Sequence, residues 1–372
     1  MVGPWPPAQG GVATFIRNVT QSSLRERYEF IRFSTARPAK RNVQGGDNYG
    51  YRGLLRGGLR RVLAGMSITL WHVAKFPWVV LIRRPALVQI QATDFFDFWE
   101  PAIYVVVARL LGKPVILRIG GSFNRFWETS PRLTRAAIAW TLEQPEVLIV
   151  QSDYWKRYMA GIRRRGPITV LNNFVPDTLA EQRAHAPPGV PRLTLYVGTM
   201  PQLKGALVLL AALRELNARG IATDVTFIGV TPQFRAHVAA TGLPGITLRD
   251  FLSHAEMLAQ LRRTDIFLQI SYHEGFPNTL LEAMALGCTA IVTPVGAVPE
   301  VVGADGDCAF VIPVGDARAL ADRIARFTAE AQLTTRMAAA CHRRILERFT
   351  ATIMTRVLDK LYAHHAAAIQ GK

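Results

Sequence analysis

Short apolar runs recur along the chain, each followed by Gly- or Pro-marked breaks and then a helix-forming stretch. Val115–Ile119, Val147–Ser152, Leu195–Gly198, Val225–Val230, Ile246–Leu252, Ile266–Ile270 and Ala290–Thr293 are apolar and rich in β-branched residues, and read as buried strands. Ala102–Leu111, Asp153–Ile162, Ala206–Ala218 and Ala255–Arg262 read as helices between them. Strand–helix alternation in both halves predicts an α/β protein of two doubly wound domains, with ligands at the carboxyl ends of the strands. The polar stretch 177–192, with Pro187, Pro188, Gly189 and Pro191, reads as an interdomain linker. It separates a first domain, 1–176, from a second, 193–348.

The first half is less regular. Tyr28–Phe33 and Ala86–Gln91 are expected as strands, and Asp94–Glu100 and the stretch from Gly120 to Trp127 as loops. Gly3 to Phe15 reads as a loop entering a helix at about Val12. Its Gly10 and Gly11 let backbone approach a ligand closely. Only Met1 and Val2 precede that loop, too few for a full first strand, so the pattern predicts a truncated first strand and an incomplete N-terminus.

The most informative stretch is Ser271-Tyr-His-Glu-Gly-Phe-Pro-Asn-Thr-Leu-Leu-Glu-Ala-Met-Ala-Leu-Gly287. Gly275 and Pro277 end the preceding strand, and Asn278 is the expected N-cap of a helix from Thr279 to Leu286. Glu274 falls on the loop and Glu282 one turn into the helix. The free N–H groups at Asn278, Thr279 and Leu280 form a ready anion site between the two acids. Acids flanking an anion site suit a ligand with phosphates in the middle and hydroxyls at both ends, which is the shape of a nucleotide-sugar.

This wording resembles the donor-site signature of the retaining glycosyltransferases of the GT-B fold, the group 1 or GT4 family. The resemblance spans nearly the whole chain and is strongest after Leu193. It implies that Glu274 contacts the donor sugar, that Glu282 holds the ribose, and that the amides around Gly275, Phe276, Asn278, Thr279 and Leu280 hold the diphosphate. It implies a role for Lys204, matching a diphosphate-binding Lys, with Thr199 standing where relatives carry an Arg. It places Gly10 and Gly11 opposite the donor, and the nucleotide base near Gly229, Val230 and Phe251. The His that relatives carry near 118–121 is absent, which leaves Arg118, Ser122, Asn124 and Arg125 as acceptor-side candidates, with Arg118 also a candidate to complete the diphosphate grip. The terminal helix, 349–372, is expected to cross back onto the first domain. The resemblance further implies a UDP- or GDP-sugar as co-substrate, no cofactor, no metal, and a glycan or lipid-linked acceptor of cell-envelope polysaccharide synthesis.

Charge and cysteine content refine this reading. The net charge is +17, with 25 Lys and Arg against 12 Asp and Glu in residues 1–182 but 19 against 15 in 183–372. A basic first half implies an anionic partner. Leu54–Ile82 mixes Arg with Leu, Val, Trp and Phe and is expected as one or two helices, docking on anionic lipid or forming a core helix with a basic edge. Its apolar part, Met66–Ile82, contains His72, Lys75 and Pro77 and is read as short of a membrane span. A nucleic-acid-binding role has no signature motif to support it. A third reading, a GT-B scaffold without catalysis, rests on Thr199 and the missing His. Cys288, Cys308 and Cys341 are too dispersed for a zinc site and fit a reducing compartment, consistent with a cytoplasmic protein at the inner face of a membrane. Asp305-Gly-Asp307 is read as a surface turn, and Arg163-Arg-Arg as a solvated helix end.

Overall fold

The computed structural model describes residues 1–6, 8, 10–36, 59–121, 123–180, 189–198 and 200–370. They form two compact units. One takes the residues up to Phe174 and those from Ala351 on; the other runs Val175–Thr350. The polar, Gly-rich and basic stretch 37–51, whose sequence reads as a loop, and the start of the expected helix at 54–58 lie outside the described residues, as do Ser122 and Thr199.

The first unit comprises β1 (Val2–Gly3), α1 (Gly11–Thr20), β2 (Phe33–Ser34), α2 (Leu59–Arg83), β3 (Val88–Ala92), α3 (Phe96–Leu110), β4 (Val115–Ile119), α4 (Phe123–Thr129), α5 (Arg132–Glu143), β5 (Val147–Val150), α6 (Asp153–Ala160) and β6 (Ile168–Val170). Its six-stranded parallel sheet has the order β2-β1-β3-β4-β5-β6. β3 and β4 are buried along their whole lengths, as continuous apolar runs in a covered parallel sheet should be.

The first strand is present, in two residues. Val2 pairs with Phe33 on one side and Ile90 on the other, inside the sheet. A Cβ at Gly3 would lie 2.8 Å from Ile16 Cδ1, so glycine lets α1 close down on this strand. Of the strand expected over Tyr28–Phe33, only the end forms, at Phe33–Ser34. Tyr28 instead donates its hydroxyl to Asp359 Oδ1 at 2.9 Å.

Two expected loops are helical. α3 begins at Phe96 and α4 occupies Phe123–Thr129. The cause is aromatic packing. Phe98, Phe123 and Phe126 are buried and meet pairwise at centroid distances of 5.4–5.8 Å, with Phe95 against Phe126 at 5.2 Å. Rings three apart share a helix face, so a stretch that looks irregular by polarity gains an apolar stripe. Arg163 also departs from the expectation of a solvated helix end. It is buried and donates to the carbonyls of Leu142, Pro145 and Glu146.

α2 is one continuous helix through Pro77, and Gly65–Arg83 is long and apolar enough to cross a membrane. The length objection drawn from the sequence therefore does not hold. Its inner residues Phe76 and Val80 are buried with Phe33 and Tyr104 in the sheet-covering core.

The second unit comprises α7 (Asp177–Ala180), β7 (Arg192–Tyr196), α8 (Ala206–Ala218), β8 (Asp224–Ile228), α9 (Pro232–Ala239), β9 (Ile246–Arg249), α10 (His254–Leu261), β10 (Ile266–Gln269), α11 (Asn278–Ala285), β11 (Thr289–Val292), α12 (Val298–Val302), β12 (Ala309–Val311), α13 (Ala317–Ala329) and α14 (Ala331–Arg348). Its six-stranded parallel sheet has the order β12-β11-β10-β7-β8-β9. Of the stretch read as a linker, Asp177–Ala180 is helical, and 181–188 lie outside the described residues. Two apolar clusters cover the sheet, and all three cysteines lie buried and unpaired by disulfide in or beside one of them. The last helix, α15 (Ala351–Gln370), belongs to the first unit. It buries Met354, Leu358 and Tyr362 with Phe15, Val19 and Ile149, and Tyr362 donates its hydroxyl to Gln89.

Candidate functional site

The site in the second unit is built where β10 ends. Ile266–Gln269 is buried throughout, as its apolar sequence dictates, and Gln269 closes it with a polar hand-off. Gln269 Nε2 donates to Glu274 Oε1 at 2.7 Å and to Ser271 Oγ at 3.0 Å. Thr293 Oγ1 donates to the Ser271 carbonyl at 2.6 Å, tying the loop to the end of β11. Glu274 is thereby held, and its position is fixed again from behind. A Cβ at Gly296, whose φ is +55°, would lie 2.0 Å from the Glu274 carbonyl oxygen. Only glycine allows the two loops to touch there.

Lys204 reaches this carboxylate from another loop. Its Nζ lies 2.5 Å from Glu274 Oε1. Lys204 ends the tight turn before α8, whose N-cap is Gly205 with φ +77°. A Cβ at Gly205 would fall 2.2 Å from the Ile270 carbonyl oxygen, so the turn is pressed onto the end of β10. Tyr196 stands beside Lys204. Burial raises its phenol pKa, and the Lys204 charge opposes that shift.

α11 begins one residue earlier than expected, which corrects the capping assignment. Its N-cap is Pro277, in extended conformation, and Asn278 is the first helical residue with no side-chain cap bond. Proline fixes the turn that the Asn side chain was expected to make. The N–H groups at the start of α11, at Asn278, Thr279 and Leu280, have no acceptor within the helix. One turn on, Glu282 is 8% exposed, and its Oε1 lies 2.8 Å from His254 Nε2. His254 is the first residue of α10, which Ser253 and Glu256 start with a reciprocal capping box. Those bonds from Ser253 hold the Glu256 carboxyl below its usual pKa.

Sequence reasoning missed His254, Gln269, Thr293 and Gly296. The Ser253-x-x-Glu256 box does flag the start of α10. That His254 meets Glu282 is a tertiary contact that no local signal carries. Gly229 lies against Gly198, with a Cβ there only 3.1 Å from the Gly198 nitrogen. Phe251 comes within 3.4 Å of the same point and is half exposed. The second unit thus joins Lys204 to Glu274, from which Gly275 and Phe276 lead to α11, with Glu282 one turn along that helix. Phe276 is buried against Phe349, 6.0 Å between centroids, and acts as an anchor for the loop.

The remaining candidates lie in the first unit. Gly10, with φ +117°, is the N-cap of α1 and has open space where a Cβ would stand; Gly11 begins the helix. Arg118 is only 1% exposed. Its guanidinium lies 3.8 Å from the centre of the Phe15 ring and donates to Asn173, and burial pushes its pKa down to about 9. In this conformation Arg118 is a core group and not an open cation for phosphate or acceptor. Asn124 is half-buried and Arg125 exposed on α4. Asp305 is structural: Oδ1 accepts from the Val311 N–H at 2.8 Å and Oδ2 from Arg323 at 3.2 Å. Among the described residues no group of three or more His, Cys, Asp or Glu is placed to hold a metal ion.

Residues 191–330 match the family described as glycosyl transferases group 1. Within these residues lie Lys204, Glu274 and Glu282. The match to the group 1 glycosyltransferase family covers most of the second unit. WcaL of Salmonella typhimurium, named for colanic acid biosynthesis glycosyltransferase activity, is 32% identical over 171 residues, 43% of this chain and 42% of that protein. The chain thus spans less than half the length of that relative. Over the whole chain the fold is GT-B. Sucrose-phosphate synthase from Thermosynechococcus elongatus superposes with a TM-score of 0.74 at 17% identity, covering 99% of both chains. HepE of Anabaena, solved with UDP-glucose, superposes with a TM-score of 0.63 at 16% identity, covering 78% of this chain and 82% of that one.

Proposed function

We propose that this group 1 domain serves a glycosyltransferase that moves a sugar from a UDP- or GDP-sugar to an acceptor hydroxyl with retention at the anomeric carbon. The observation that carries the reading is the Lys204–Glu274 contact at the mouth of α11, with Glu282 one turn further on. In the proposed step the bond from the anomeric carbon to the β-phosphate oxygen breaks, and its electron pair stays on the diphosphate. Lys204 and the α11 amides stabilise that growing charge, a preorganised electrostatic role. The acceptor oxygen bonds to the anomeric carbon on the face the phosphate leaves. Its proton passes to the departing phosphate. Glu274 orients the sugar hydroxyls, Glu282 binds the ribose, and the charge work needs no metal.

A nucleotide-sugar donor is supported by HepE, which was solved in complex with UDP-glucose. An acceptor within envelope polysaccharide assembly, lipid-linked and reached at the cytoplasmic face of a membrane, is supported by the name of WcaL and by the basic first half of the chain. The deciding experiment is calorimetric titration of UDP, GDP and ADP and their common sugars, with Glu282→Ala alongside. Micromolar binding of one nucleotide, lost in the variant, is the expected result. Transfer is then followed by NMR of the product's anomeric proton with and without EDTA. Binding of none of the nucleotides sinks the proposal; binding without transfer to any acceptor leaves the scaffold reading.

A further inference from the structure

α2 carries large apolar side chains on its outer side as well as on the side that joins the core. Met66, Leu70, Trp71, Trp78, Leu81 and Ile82 are all more than half exposed. With 3.6 residues per turn these positions share one side of the helix. The side that faces the protein is apolar at Phe76 and Val80 and polar at His72. There His72 Nδ1 lies 3.1 Å from Glu100 Oε1, which also accepts from the Tyr104 hydroxyl at 2.6 Å. A soluble surface helix turns its apolar stripe inward. Here six large apolar side chains, two of them tryptophan, point away from the core.

A second observation adjoins the first. A groove beside α2 is lined by Arg32, Lys75 and Arg83 together with Trp71, Val79 and Ile82. Its cations stand at the border of the apolar face, since Trp71 and Ile82 belong to both. Among the described residues no acidic side chain lines it. Arg83 pairs at 3.0 Å with Glu29, but both groups are more than half exposed, so water and salt screen the pair.

We infer that the outer face of α2 lies flat in the surface of an anionic phospholipid bilayer, with a headgroup phosphate between Arg32, Lys75 and Arg83. This deepens the membrane contact in the proposed function and names the surface that makes it. Tryptophans suit the boundary between acyl chains and headgroups, and Met66 to Ile82 measures about 24 Å along the axis at 1.5 Å per residue. The helix does not span the bilayer, although its length and apolarity would permit it. Phe76 and Val80 are packed in the core of the first unit, and the His72–Glu100 bond holds the same side to α3. A second copy of the chain is disfavoured as the cover, because a two-fold contact brings the cationic border against itself.

The test is co-sedimentation of the full chain with phosphatidylglycerol–phosphatidylcholine vesicles and with pure phosphatidylcholine vesicles. The wild type is expected to bind the anionic vesicles and to be released by high salt. Trp71→Ser/Trp78→Ser/Leu81→Ser, all on exposed positions, is expected to weaken binding at least tenfold or so. Arg32→Gln/Lys75→Gln/Arg83→Gln is expected to abolish the preference for anionic lipid. The inference is overturned by wild-type binding that neither variant changes, by no binding to anionic vesicles, or by protein that resists alkaline carbonate extraction as a spanning helix does. It is also overturned if the wild type is a dimer in light scattering and the tryptophan variant a monomer. Nucleotide affinity measured in the same preparations separates this inference from the donor site: intact affinity without vesicle binding refutes the membrane face alone, and vesicle binding without nucleotide affinity refutes the donor site alone.

Discussion

Lys204 Nζ and Glu274 Oε1 lie 2.5 Å apart although the residues come from different loops, and Gln269 Nε2 donates to the same oxygen at 2.7 Å. One carboxylate oxygen therefore receives two donors before any ligand arrives. In the proposed reaction a diphosphate beside Lys204 would compete with Glu274 for the ammonium, and the carboxylate so released would accept from sugar hydroxyls. Glu274→Gln is expected to lower kcat by about 10²–10³, with nucleotide affinity changed far less. Lys204→Ala is expected to lower kcat by a similar factor of about 10²–10³ and to weaken binding of the free nucleoside diphosphate as well. Steady-state rates with titrations of UDP and GDP check both, and near-normal turnover in either variant counts against the proposed roles.

His254 is expected to act through Glu282. Its Nε2 sits 2.8 Å from Glu282 Oε1, and its side chain is partly open to solvent. His254→Ala leaves the carboxylate in place but unsteadied, so nucleotide affinity is expected to fall about three- to tenfold. Glu282→Ala is expected to abolish it. Calorimetry on the double variant tests the coupling: if Glu282 carries the effect, removing His254 from a chain that already lacks Glu282 costs nothing further.

Gly296→Ala is expected to damage activity without touching the ligand. The added Cβ would meet the Glu274 carbonyl oxygen at 2.0 Å, at a φ of +55° that alanine adopts poorly. Relief requires the 293–297 loop or the Glu274 loop to move. The expected cost is about 1–3 kcal/mol of stability, read as a lower Tm, together with a fall in kcat. An unchanged Tm with full activity would show that the loops have slack that the geometry denies.

Tyr362→Phe tests the attachment of α15. The Tyr362 hydroxyl donates to the buried Gln89 side chain, whose amide nitrogen has no partner among the described residues. Removing the hydroxyl strands the Gln89 oxygen as well, at a cost of about 1–3 kcal/mol. Denaturant unfolding is expected to show a lower midpoint for the first unit, and nucleotide binding by the second unit is expected to survive.

Much of the second unit was legible in its sequence because local rules agree there. The apolar run at β10, the breaks at Gly275 and Pro277 and the run closed by Gly287 each specify one outcome, and α8 forms over Ala206–Ala218 as its pattern requires. The first unit was harder to read, since its information is aromatic and long-range. Phe123 and Phe126 make a helix of a polar-looking stretch because Phe98 waits across the core. Arg118 looked like a ligand at a strand's end, whereas Phe15 and Asn173 enclose it. Glu274 and Glu282 could be named from spacing, but the groups that orient them come from 254, 269, 293 and 296, which only the folded chain assembles.

The placement of α15 has a consequence for how the protein is made. The chain builds β1 to β6, then the whole second unit, and only then the helix that covers Phe15, Val19 and Ile149. A ribosome therefore releases the second unit in foldable form while the first still exposes an apolar flank. Domains fold as units during synthesis, and open apolar surface invites aggregation. The first unit is translated ahead of the second yet completed after it, and nascent chains stalled before Ala351 should be chaperone clients even though nearly the entire second unit has already emerged.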